Sequence, residues 1–208
     1  MNKFEKLYKE LKRKYGKPKE QWDLWCKRSK SEKEREEVII GAILTQRTTW
    51  KNVELSLNNL KDRKLISFKK ILKLRLNDLA NLIKSSGFYR MKAEYLYSLI
   101  KFIDKNYGNL KKMKKQKKDK LREELLRLKG IGEETADSIL LYALDKSVFV
   151  IDEYTKRLAK KKKLSKNFSY NYLQKLFEEN LKKDFRLYQD FHALIVIDGK
   201  NRVSYRVS

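Results

Sequence analysis

Apolar residues recur along this chain at helical spacing. Phe4, Leu7, Tyr8 and Leu11 predict a first helix ending near Gly16. A polar segment carrying Trp22 and Trp25 follows. Residues 38–44 are almost continuously apolar, which predicts a buried helix, and a charged turn is expected before it. Val53, Leu57 and Leu60 recur at i, i+4 and i+7. Leu79, Leu82 and Ile83 predict a short helix ended before Gly87, and Tyr95, Leu96, Leu99, Ile100 and Ile103 a longer one ended by Gly108. Residues 111–120 are mostly lysine and read as an exposed connection. Leu121, Leu125, Leu126 and Leu128 resume the helical pattern, then Ala136, Ile139, Leu140, Ala143 and Leu144. Further helices are expected around residues 155–163, 170–181 and 185–197. Residues 148–151 read as a possible lone strand, and a strand without a partner makes no sheet. One proline, Pro18, and seven glycines interrupt the whole chain. The pattern predicts roughly ten helices and an all-α fold.

Charge adds a partner to this picture. The 208 residues hold 52 Lys and Arg against 27 Asp and Glu, a formal net charge of +25. Such an excess favours a polyanion, nucleic acid before an acidic membrane surface. No apolar run approaches the ~20 residues of a spanning helix, and no signal peptide opens the chain. A cytoplasmic, nucleoid-associated protein is therefore expected. Cys26 is the one cysteine and His192 the one histidine. No disulfide can close within the chain, and no Cys/His set exists to hold zinc or an iron–sulfur cluster or to build a Cys/His nucleophile. Cys26 suits a small buried position, and His192, in an apolar helix, a structural one.

The stretch most specific for chemistry is Leu128-Lys129-Gly130-Ile131-Gly132-Glu133-Glu134-Thr135-Ala136, with Asp152 twenty residues beyond Gly132. Two glycines one residue apart allow a tight turn whose backbone amides can approach a phosphate. Glu133 and Glu134 open the following helix, where its dipole favours acids. This string resembles the helix-hairpin-helix DNA glycosylases of the endonuclease III superfamily. Three more segments match that family in order. They are the early helix and loop at 43–53 with Gln46, the segment at 82–93 with its Gly-x-Tyr-x-x-Lys-Ala-like run, and the Phe191-His192-Ala193-Leu194-Ile195 helix.

The resemblance implies two helical lobes with a DNA cleft between them. Residues 40–150 would form the lobe carrying the hairpin, and residues 1–39 with 151–208 the second. It also implies a monomer acting on double-stranded DNA that carries a damaged base. Asp152 would be the catalytic anion beneath the sugar, although Asp152-Glu153-Tyr154-Thr155 is equally a good helix cap. Gln46 would fill the gap left by the flipped base, and Phe88 would wedge into the stack. Lys129, Gly130, Ile131, Gly132 and Thr135 would grip phosphate, with a monovalent cation on the hairpin carbonyls. Lysines at 111–120 and 160–163 would add sequence-independent attraction.

Two departures narrow the chemistry. Many relatives carry a lysine where Glu134 stands, and a carboxylate cannot form an imine, so the chain resembles the monofunctional branch. The C-terminal segment from Asp198 has no cysteine, so the family's iron–sulfur cluster is absent, while a basic tail could still touch phosphate. The nearest pattern is the 3-methyladenine DNA glycosylase III branch, whose aromatic pocket would here use Trp22, Trp25 and Trp50 together with Glu134. Electron-rich rings suit a cationic methylated purine. That branch's lysine after a His-Gly pair does not carry over, because Ala193 follows His192. Three alternatives stay open: a bifunctional glycosylase with lyase activity on oxidised bases, a uracil or thymine mismatch glycosylase, and a non-catalytic DNA-binding module.

Overall fold

In the computed structural model, which describes residues 1–204 with side chains through 201, helices dominate and no strand forms among the described residues. In chain order the helices are α1 (Lys3–Tyr15), α2 (Gln21–Trp25), α3 (Glu32–Leu44), α4 (Trp50–Asp62), α5 (Phe68–Ile71), α6 (Leu76–Leu82), α7 (Tyr89–Tyr107), α8 (Leu110–Lys114), α9 (Lys118–Leu126), α10 (Glu133–Ser138), α11 (Glu153–Lys161), α12 (Tyr170–Asn180) and α13 (Phe185–Ser204). The end of the basic tail, 205–208, lies outside the described residues. The chain divides into two compact units, Met1–Arg28 with Asp145–Ser208, and Ser29–Leu144. A boundary at residue 40 would cut α3, a continuous helix, and the division falls ahead of that helix instead.

In the first unit α1 and α11 pack on α13, and α12 packs on α1. Asn2 caps α1 in a capping box with Glu5, and its Nδ2 donates to the Asn180 carbonyl at 2.7 Å. The core is aromatic: Phe149 stacks on Phe177 at 4.5 Å between centroids, and Phe4, Tyr188 and Phe191 meet that pair edge-on or tilted. The segment expected as a lone strand is extended but unpaired with backbone. Glu178 accepts the Phe149 N–H at 2.8 Å, and Gln174 Nε2 donates to the Phe149 carbonyl at 2.7 Å. Side chains of α12 thus satisfy groups that a neighbouring strand would otherwise have to satisfy.

In the second unit α3 runs through the core with Val38, Ile39, Ile40, Ile43 and Leu44 fully buried. The charged turn expected ahead of it is in fact its first two turns. Ser31 and Glu34 form a capping box, and Glu32 and Glu34 sit where the helix dipole favours anions. The lysine-rich connection also proves largely helical: α8 and the start of α9 occupy it, with Leu110 and Met113 buried beneath the exposed lysines. Two apolar anchors suffice to fold a lysine-coated turn, because lysine is a good helix former. Beyond α10 the helix widens into a single π turn, Ile139–Ala143.

Candidate active site

The hairpin joins α9 to α10. Ile131 donates its N–H to the Leu128 carbonyl at 3.1 Å, closing the turn. Gly130 has φ +81, and a Cβ there would lie 2.3 Å from the Tyr95 ring, so both backbone sign and space demand glycine. Arg122 on α9 spans the turn to Asp137 on α10 with two hydrogen bonds at 2.8 and 3.1 Å, and Asp137 is fully buried. This brace holds the two helices of the motif together. Lys129, Gly132 and Glu134 are exposed, Gly130 and Thr135 half-buried, and Ile131 is buried as the turn's apolar anchor.

Two neighbouring loops carry the residues expected to probe the duplex. Gln46 follows α3 and reaches the hairpin itself, its Nε2 2.9 Å from the Gly130 carbonyl and 3.1 Å from Thr135 Oγ. Phe88, after Gly87, sits at φ +46, a left-handed position that a non-glycine residue rarely takes. Its side chain is 56% exposed. Trp50, expected in a loop, begins α4 and is half-buried. The order of the loops rests on a residue that sequence reasoning gave no role. Lys92 is 2% exposed, and its Nζ donates to the Leu44 carbonyl at 2.8 Å and the Ser86 carbonyl at 2.6 Å. One ammonium therefore ties the ends of α3 and of the 3₁₀ turn Lys84–Ser86, two residues before Gln46 and two before Phe88. Burial pulls its pKa down to about 8. The sequence did hold a signal: Lys92 shares a helical stripe with Leu96, Leu99 and Ile103, an apolar face on which lysine is out of place.

The first unit holds Asp152. It caps α11: Oδ1 accepts the Thr155 N–H at 2.7 Å and the Thr155 hydroxyl at 2.8 Å. Oδ2 points toward His192 Nε2, 3.5 Å away. Burial pushes this carboxyl up, but the charge and hydrogen bond of His192, with the two bonds from Thr155, outweigh it and hold Asp152 below the usual carboxylate range. A buried carboxylate that stays ionised is a fixed negative charge, suited to a developing cation or an attacking water. Trp22 meets His192 edge-on at 6.0 Å and Trp25 at 5.9 Å, and the two indoles are only 5% and 6% exposed. Lys200, from the last turns of α13, donates to Gln21 Oε1 at 3.2 Å. Among the described residues, no group of three or more His, Cys, Asp or Glu side chains is placed to hold a metal ion, and no helix is long and apolar enough to cross a membrane.

A glycine hairpin braced between two helices in the second unit, and a buried ionised aspartate capping a helix in the first, are the parts of an enzyme that handles DNA. The sequence model of the HhH-GPD superfamily, base excision DNA repair proteins, matches residues 40–183, and the chain belongs to that superfamily. A Methanocaldococcus jannaschii protein assigned as a DNA repair glycosylase is 50% identical over 165 residues, 78% of this chain and 75% of that one. The 3-methyladenine DNA glycosylase of H. pylori, solved with 1,N6-ethenoadenine bound, superposes with a TM-score of 0.80 at 32% identity, covering 97% of this chain and 99% of that one. A trapped endonuclease III–DNA covalent intermediate matches at TM-score 0.74 over 97% of this chain and 88% of the other. At 18% identity that likeness concerns the fold alone. The protein is thus a DNA-binding base excision repair glycosylase, an enzyme acting on N-glycosyl bonds.

Proposed function

We propose that this enzyme is a monofunctional N-glycosylase that removes alkylated purines, of the 3-methyladenine kind, from duplex DNA in the cytoplasm, acting as a monomer. The observation that carries the reading is Glu134, a carboxylate in the first turn of α10 where an imine-forming enzyme needs an amine. The similarity to a glycosylase solved with a modified adenine supports the substrate class.

The chemistry follows from the residues. Hairpin amides around Lys129–Gly132 hold a phosphate, reading no sequence. Flipping the base costs a few kcal/mol, which Gln46 and the exposed Phe88 offset by occupying the duplex. Cleavage of the glycosidic bond leaves positive charge on the sugar. The Asp152 carboxylate stabilises that charge and orients the water, which adds to C1′ and gives up its proton while the bond electrons leave with the base. A cationic methylated purine leaves as a neutral base, and stacking and cation–π attraction from the half-buried Trp50 favour it, at ~0.5–2 kcal/mol, while Trp22 and Trp25 are buried. Glu134 lies at the hairpin as a further anion toward such a base. A monovalent cation on the hairpin is compatible with the turn. The Leu128 and Gly130 carbonyls each accept one protein donor and keep a lone pair for an ion.

One observation favours a second reading, lyase activity. Lys200 has its pKa lowered by burial and feels the charges of Glu20 and Asp152; a deprotonated amine there would attack C1′ as the base leaves with the bond electrons, and loss of its protons as the C1′–O4′ bond opens would give an imine. One experiment tests both readings: duplexes bearing alkylated purines, oxidised pyrimidines or uracil are incubated with the protein, with and without borohydride. Release of alkylated purines without a covalent adduct is expected. An adduct that Lys200→Ala abolishes would replace the first reading by the second, and release of uracil or oxidised bases alone would overturn the substrate class.

A further inference from the structure

Helix α13 lies along the first turn of α11. His192 touches Asp152, and Gly199, one heptad later on the same face, lies so close to Tyr154 that a Cβ would fall 2.3 Å from its ring. Asp152 is therefore held on one side by hydrogen bonds and faced on the other by an imidazole at 3.5 Å. Thr155 binds Oδ1 from within α11 through two donors, and α13 presents an imidazole to Oδ2. Both partners are at least nine-tenths buried, at 9% and 5% exposure. Were Oδ1 alone held, the carboxylate would be free to turn about its Cβ–Cγ bond.

We propose that His192 is a positioning residue for Asp152, its Nε2 fixing Oδ2 so that the plane of the carboxylate, and with it the anion offered to the sugar, is set before DNA binds. The inference rests on the reading of Asp152 as the sugar-facing anion. Its physical basis is preorganisation: a dipole already oriented in a dry site costs no reorganisation when charge develops. An Nε2–H donor at this position orients the carboxylate and leaves its charge intact. The groups facing this pair are Thr155 from α11, the Trp22 ring from α2 and the Phe149 ring from the extended segment. Lys200 on α13 senses the charge of Asp152, and Glu20 ahead of α2 faces Lys200.

The test needs no knowledge of the damaged base. Duplexes carry either a pyrrolidine abasic nucleotide, a cationic mimic of the sugar, or its neutral tetrahydrofuran counterpart. The ratio of their affinities reads the anion. Wild type, Asp152→Asn, His192→Phe and His192→Gln are compared at one pH, and the Asp152 carboxyl is titrated by carbon NMR in the three proteins that keep it. Asp152→Asn is expected to lower the ratio at least ten-fold. His192→Phe is expected to lower it three- to ten-fold, with binding of the neutral duplex unchanged and the Asp152 titration moved to higher pH. His192→Gln, which keeps a donor, is expected to restore most of the ratio. If Asp152→Asn leaves the ratio unchanged, the reading of Asp152 itself fails. If Asp152→Asn lowers it while both His192 variants match wild type in ratio and titration, His192 is packing only and this inference alone fails. Should His192→Phe not fold, His192→Leu, which also lacks a donor, takes its place with the same expected outcomes.

Discussion

Replacing Lys92 by methionine exposes a stability term that the wild-type protein carries only at certain pH. The side chain is 2% exposed and its pKa falls from 10.5 to about 8 because burial disfavours the ammonium. A fall of that size corresponds to at most about 3 kcal/mol, and partial solvent screening trims the readable part to about 1–2 kcal/mol. The sign follows from proton counting. Between pH 8 and 10.5 the unfolded chain holds the proton that the folded chain has released, so stability rises with pH in this window and is flat below it. In Lys92→Met that slope disappears. The variant also leaves the Leu44 and Ser86 carbonyls without their donor, at about 1–3 kcal/mol each, so it is less stable than wild type at every pH. Urea unfolding of both proteins from pH 7 to 10.5 isolates Lys92, because every other titrating group is common to both. The stability difference should widen by about 1–2 kcal/mol across the window. A difference that stays constant with pH, or narrows, would refute the account of Lys92 as a buried ammonium.

Three further outcomes are expected. Gly130→Ala forces a Cβ into the Tyr95 ring at a left-handed backbone position, and thermal unfolding should show a loss of about 2–4 kcal/mol. Asp137→Asn leaves the Arg122 guanidinium facing a neutral amide inside the hairpin brace; denaturant titration should register about 3 kcal/mol, and phosphate-dependent DNA binding should weaken with it. Phe88→Ala removes an exposed ring, so stability should stay within ~0.5 kcal/mol, while base release from duplex falls at least ten-fold and release from single strands changes little. Equal losses on both substrates would show that Phe88 does not act on the stack.

The helices, the hairpin and the cap at Asp152 could be read from the chain because each depends on neighbours in sequence. Helical periodicity, a glycine pair and an Asp three residues before Thr155 are local patterns, and local hydrogen bonds follow them. Where the linear reading went astray, sequence-distant contacts were responsible. Residues 32–37 look like a charged turn because their burial partners, such as the Ala143 carbonyl that takes Arg35, lie far along the chain. The lysine run at 111–120 becomes helical because Leu110 and Met113 find a core. The extended segment near Phe149 needs no partner strand, since Glu178 and Gln174 on α12 supply its hydrogen bonds.

The candidate site divides the same way. Residue type and spacing singled out the hairpin and the cap at Asp152, because a turn that admits phosphate and a helix that begins with an acid are properties of short strings, while the roles of Asp152, Gln46 and Phe88 came from the family resemblance. Only the folded chain could show that Lys92 binds both probing loops, that Gln46 rests on the Gly130 carbonyl, and that His192 stands behind Asp152. Each of those contacts joins residues 6 to 84 positions apart. Hydrogen-bond partners at such separations are chosen by packing, which the order of residues along the chain does not reveal.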